Sequence, residues 1–286
     1  MARVRLGKRP ATEAASAGPE PVERPPDPAH DDPDPAYDAP DAPDAPPTWR
    51  RRIADSAPVT LFWAAHPRQG VLTAVALAGV ALVSGRPGRE AAVVLVTVLV
   101  GQAILGWHND LVDRERDAAH DVARKPVAQG RLDPGTAWYA LVVAVLLVIP
   151  LSLSVGVTAG VYYLASLVVG VLGNVVLRRG LLSPLPWMVS FGLYPAYLSH
   201  GGYGGDAVGS PPEPAMVGVW ALLGLGLHVL RAIWGLVQDD QEGWTYLPLR
   251  LGRRLGATRL LVVAGAYTGA VVAVLVVLGS TIGLRR

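Results

Sequence analysis

Apolar residues run in long blocks along this chain, with charged and turn-forming residues gathered between them. The blocks fall near residues 58–84, 90–108, 135–155, 157–177, 184–200, 215–237 and 257–283. They approach or exceed the roughly 20 residues that a helix needs to cross a bilayer. They are also much longer than the roughly 9–11 residues of a barrel strand and show no strict alternation, so the pattern predicts helices. The expected fold class is all-α, a multi-pass transmembrane helical bundle of about seven spans. The third and fourth blocks are divided only by "SVGVT" around Gly156, which predicts a tight turn there. Pro150, Pro184, Pro186 and Pro195 predict kinks whose freed backbone groups must be satisfied by neighbouring helices.

Residues 1–56 are patterned differently. Their repeated Asp, Ala and Pro offer almost nothing to bury, which predicts a disordered, acidic, solvated tail ahead of a membrane domain at 57–286. The tail has no apolar stretch after a basic start, so a secretory signal peptide is not expected. Over the whole chain, 51% of residues are hydrophobic and 17% charged. This composition reinforces the membrane class. The absence of cysteine excludes disulfides, thiolate nucleophiles and Cys-based zinc sites. A net charge of +2 says little about partners, and no nucleic-acid partner is expected.

Lys and Arg orient the bundle, because positive residues in short loops stay cytoplasmic. Arg50–Arg52 precede the first span. Arg114, Arg116, Arg124, Lys125 and Arg131 follow the second, Arg178 and Arg179 the fourth, and Arg250, Arg253, Arg254 and Arg259 the sixth. With seven spans all four clusters share one side. The N-terminus and charged loops are therefore expected to be cytoplasmic, with the C-terminus outside, in a cell membrane of bacterial kind.

The candidate chemistry lies in "GWHNDLVDRERDAAHDVARKPVAQGRL", Gly106–Leu132, which holds five acidic and five basic residues directly after an apolar run. Asp110, Asp113 and Asp117 are spaced i, i+3, i+7, and Asn109 precedes Asp113 by four. On a helix they share a face. Three neighbouring carboxylates repel unless a cation neutralises them, and an all-oxygen set suits Mg²⁺, which also takes water and substrate phosphate. The spacing points to a magnesium–diphosphate clamp, with Arg124 and Lys125 complementing the remaining phosphate charge. The alternative is a solvated loop in which Asp113, Arg116 and Asp117 form ordinary surface ion pairs of little worth.

"NDLVDRERD" followed by "RKPVAQGRL" resembles the first signature of the UbiA superfamily of intramembrane prenyltransferases. "TLFWAAHPRQG" and "NVVLRRGLLSPLPWMVSFGLYPAYL" extend the likeness over about Leu61–Leu255. The resemblance implies a helical bundle with a cavity opening sideways to lipid. It implies Mg²⁺ held by two acidic motifs, a polyprenyl diphosphate and a lipophilic, aromatic or otherwise nucleophilic acceptor. Asp110 and Asp113 are then the catalytic carboxylates. Asp110, Asp113, Asp117 and Asp239 are the metal ligands, and Asn109, Arg124, Lys125, Arg178 and Arg231 the diphosphate contacts.

The second motif departs from the family pattern. "RAIWGLVQDDQEGWTYLPLRLG" places Asp239 at its second Asp but Gly235 at its first, with Asp240 and Glu242 as the only nearby substitutes. Arg231 and His228 lie in an otherwise apolar span, where an ionisable group is a functional candidate. Arg231 could instead snorkel to the interface, and His228 could be a packing residue. Tyr162, Tyr163, Trp187, Tyr194 and Tyr197 are candidates either for lining a cavity and stabilising a cation or for packing. The family commonly has nine helices, so a count of seven leaves a lipid-side opening that oligomerisation could cover. Non-catalytic diphosphate binding and cation-coupled transport remain alternatives, although carboxylates at a span end fit transport poorly.

Overall fold

The computed structural model describes residues 48–120, 125–202 and 209–284. Its regular elements are helices: α1 (Thr48–Ala54), α2 (Ala57–Ala64), α3 (Pro67–Val83), α4 (Gly88–Ala119), α5 (Pro134–Leu153), α6 (Val157–Gly173), α7 (Leu185–Ser199), α8 (Pro214–Ala232), α9 (Leu236–Gln241), α10 (Leu247–Leu255) and α11 (Ala257–Thr281). A 3₁₀ turn, Ile233–Gly235, links α8 to α9.

The seven apolar blocks correspond to α2 with α3, then α4, α5, α6, α7, α8 and α11. By length and composition, Gly88–Ala119, Pro134–Leu153, Pro214–Gln241 and Ala257–Thr281 are able to span a membrane, while α3 and α6 are shorter apolar helices. The first block is two helices rather than one. His66 adopts a left-handed conformation at φ 51°, and Pro67, with its fixed φ and missing N–H, opens α3. The turn at Gly156 stands where the pattern places it, and its φ of 125° is one that a side chain would oppose. Pro150 and Pro195 lie inside α5 and α7. Residues 1–47 of the expected tail, and Arg285 and Arg286, lie outside the described residues, whereas Thr48–Ala54 form α1 within the stretch read as tail.

Neighbours in sequence are neighbours in space. Helix α3 packs on α4, α4 on α5, α5 on α6, α6 on α7, α7 on α8 and α8 on α11, and α4 also touches α6. The main core gathers Leu77, Val94, Val98, Tyr163, Tyr194 and Tyr197 between them. Tyr163, fully buried on α6, donates its hydroxyl to the Thr97 carbonyl of α4 at 3.2 Å. The outward faces of α5 and α11 are apolar, with Leu146, Val262 and Val276 exposed, as the surface of a lipid-facing bundle must be. At the start of α4 a buried Arg86–Glu90 pair, 3.8 Å apart, sends the Arg86 guanidinium to the Leu198 carbonyl and fastens the α3–α4 loop to the end of α7.

Candidate functional site

The site grows from the last third of α4. The i, i+3, i+7 spacing turns Asp110, Asp113 and Asp117 inward, leaving them only 1%, 8% and 7% exposed. This overturns the solvated-loop alternative, because burying carboxylates is costly unless cations meet them. Cations do meet them. Lys125, in the turn after α4, reaches Asp110 Oδ1 at 2.6 Å and Asp117 Oδ2 at 3.2 Å. Arg178, between α6 and α7, donates to Asp113. His66 Nε2 lies 3.1 Å from Asp110 Oδ1. The corner carrying His66 sits close because α4 presents Gly106 to it: a Cβ there would come within 2.7 Å of the Ala65 backbone. Trp107 Nε1 donates to the Leu61 carbonyl at 2.8 Å and holds α2 in place. Asp110 Oδ2 is buried with no hydrogen-bond partner among the described residues.

The second acidic segment faces this cluster from α9. Asp239 accepts from Arg116 through Oδ1 and from the Tyr246 hydroxyl through Oδ2. Arg116 Nε also donates to both oxygens of Glu242, at 2.7 and 2.8 Å, and the guanidinium lies 4.3 Å from the Trp244 ring centre. His120 Nε2 stands 2.9 Å from Glu242, and Arg253 holds Asp240 at 2.6 Å. Burial pushes the Glu242 carboxyl up, but the bonds and charge of Arg116, with Trp244 and His120, outweigh it and hold it below the usual carboxylate range. Burial, followed by the bond to Asp239 and its charge, raises the Tyr246 phenol well above its ordinary value. Gly235 sits beside this group: a Cβ would lie 3.2 Å from Asp239 Oδ2.

Between the two segments opens a cavity of about 510 Å³. Asn109, Asp113, Asp117, Lys125, Arg178, Arg231 and Asp239 all line it. Asp110 does not, but its partners Lys125 and His66 do. Arg231 presents an exposed side chain to the cavity, within electrostatic reach of Asp110, and makes no hydrogen bond or ion pair among the described residues. Arg124 lies outside the described residues. Trp187, Phe191 and Tyr194 also line the cavity, with His228 Nε2 3.0 Å from Ser183 Oγ. Of the five candidate aromatics only Trp187 and Tyr194 line the cavity. Tyr163 and Tyr197 pack together in the core, and Tyr162 stacks on His200. Spacing alone does not point to His66, Arg116, Trp244 or Tyr246. "AAHPRQG" is a marked stretch, but Arg68 in it is exposed, and Ala65, His66, Gln69 and Gly70 line the cavity instead.

Among the described residues no three Asp, Glu or His side chains converge closely enough to hold a metal by themselves. An ion here needs ligands beyond the protein, as Mg²⁺ does when it retains water and takes phosphate oxygens. The donor chemistry of the first segment fits this requirement, with oxygen-only ligands and a buried carboxylate oxygen, Asp110 Oδ2, that no donor among the described residues satisfies.

The site is a charged cavity with aromatic residues in its wall, set in a helical bundle with helices long and apolar enough to span a membrane. The model of the UbiA prenyltransferase family matches residues 71–284, most of the chain, and the chain belongs to that family. Neither the curated proteins nor the solved structures yield a match.

Proposed function

We propose that the protein transfers a prenyl group from a polyprenyl diphosphate to a lipophilic, aromatic acceptor within the membrane, with Mg²⁺ as cofactor. The observation that carries this reading is the cavity itself, whose wall combines buried acids and cations with the aromatic side chains of Trp187, Phe191 and Tyr194. Carboxylates drawn from Asp110, Asp113 and Asp117 would supply part of the ion's oxygen set, with Asn109 beside them and water and phosphate oxygens completing it. Bound there, magnesium would neutralise the diphosphate as a leaving group. Lys125 and Arg178 pair with the same carboxylates, so uptake of the ion frees both cations for phosphate oxygens. Arg231 has no competing partner among the described residues and suits a phosphate directly.

In the reaction the allylic carbon–oxygen bond breaks with its electron pair leaving on the diphosphate. The acceptor nucleophile bonds to that carbon and releases its proton to water. Trp187, Phe191 and Tyr194 shield the cationic carbon and offer it their ring faces. The orientation that suits soluble diphosphate release places the charged loops on the cytoplasmic side, in line with their positive charge.

Incubating the purified protein with radiolabelled prenyl diphosphates, lipophilic acceptors and Mg²⁺ tests the reading. A labelled product that disappears with a chelator supports it. Tight diphosphate binding without product would instead assign the chain to non-catalytic isoprenoid-diphosphate binding, a reading favoured only by the missing carboxylate at Gly235.

A further inference from the structure

The two acidic segments are unlike in one respect that decides how many ions the cleft can take. In the first, Asp110 keeps an oxygen that nothing among the described residues satisfies. In the second, both oxygens of Asp239 are engaged, Oδ1 by Arg116 and Oδ2 by Tyr246. Glu242 is engaged bidentately by Arg116, and Asp240 by Arg253. Gly235 contributes no carboxylate, and its missing Cβ would press on Asp239 at 3.2 Å. A divalent ion at this second segment would have to displace a guanidinium bound to two carboxylates and stacked on Trp244, with one acid fewer to receive it. The residues present do not fit a second metal.

We infer that Arg116 is the resident cation of the second acidic segment, standing where a second divalent ion would, so that the chain takes up a diphosphate with one divalent ion. The assignment rests on the reading of the first segment as a metal clamp. Geometry gives Arg116 a part in ligand binding as well. Nε and Nη2 face Glu242 and Asp239, which leaves the Nη1 hydrogens without protein acceptors among the described residues, and the side chain lines the cavity. A guanidinium fixed at one edge and open at the other can donate to a phosphate oxygen. It also differs from a metal in a testable way, because its charge is covalently part of the chain and is not removed by a chelator.

The test counts ions. The full-length protein in detergent is dialysed to equilibrium against Mn²⁺ and inorganic pyrophosphate, and protein-bound manganese is measured per chain. One ion per chain is expected. Two ions overturn the inference while leaving the clamp reading intact, and none overturns both. The Asp239→Asn variant, checked for an unchanged circular dichroism spectrum, is expected to keep its one ion at unaltered affinity, because its carboxylate serves Arg116 and no metal. A loss of about tenfold or more in manganese affinity, the scale on which metal-site changes register, makes Asp239 a ligand and sinks the assignment. Arg116→Lys, which retains the charge and loses the fork, is expected to weaken pyrophosphate binding without changing the manganese count. Undiminished pyrophosphate affinity in that variant removes Arg116 from the binding surface.

Discussion

Asp110 has two oxygens in different circumstances. Oδ1 is shared by Lys125 and His66, while Oδ2 is buried and unmet. An unsatisfied buried acceptor costs about 1–3 kcal/mol, which a bound cation would recover. Asp110→Asn and Asp113→Asn are therefore each expected to abolish diphosphate binding in Mg²⁺, read by titration calorimetry. Undiminished binding by both variants would remove the clamp. Arg231→Ala is expected to weaken diphosphate binding by about 1–3 kcal/mol, the scale of a charge-assisted hydrogen bond. If the folded variant binds as the parent does, Arg231 is an interface anchor. The three aspartates are legible in the sequence because their spacing follows the helix period. Their counterions are not, since His66 stands 44 residues before Asp110 and Arg178 stands 65 after Asp113, and only tertiary packing joins them. Arg116 reads as a surface partner for Asp113 and Asp117, yet Asp113 is taken by Arg178 and Asp117 by Lys125. Arg116 turns instead to α9.

Among the elements, the spans are the legible part, because a run of apolar side chains is an intrinsic property of the chain. What escapes is where a run stops being one helix. The left-handed break at His66 and the 3₁₀ turn before α9 each redirect the backbone by a single residue or turn, too little to disturb a hydropathy pattern. Both breaks are close to the cleft. Short α10, with its alternating Leu and Arg, is hidden in the same way between two longer segments. The join between α4 and α9 carries a pH signature. Glu242 has a depressed folded value, so the stabilisation from its pairing with Arg116 is present above the usual carboxylate range and is lost as the pH falls through that depressed value. Thermal unfolding followed by circular dichroism should show a loss of stability on acidification that is smaller in Glu242→Gln. An identical acid dependence in the variant would mean that the join does not report through Glu242.

For the whole molecule, the distribution of positive charge makes one prediction that the helices alone do not: both acidic segments and the N-terminus face the cytoplasm, and the C-terminus lies outside. A reporter fused after Arg286 that is active only in the cytoplasm is expected to be silent, and activity would overturn this orientation. Helix α4 adds a consequence of its own. Twenty-two residues separate Gly88 from Asp110, a rise of about 33 Å, close to the roughly 30 Å thickness of a hydrocarbon core. The Arg86–Glu90 pair at one end and the aspartates at the other are thus spaced to bracket a bilayer and would act as a gauge of fixed length. Acyl-chain length in the surrounding lipid then becomes a control variable, because thicker bilayers draw the acidic end toward hydrocarbon at a cost of a fraction of a kcal/mol per ångström. Proteoliposomes of graded acyl length should show diphosphate affinity passing through a maximum near a matched thickness, and a flat profile would mean that the bundle tilts or deforms its lipid to keep the cleft at the headgroups.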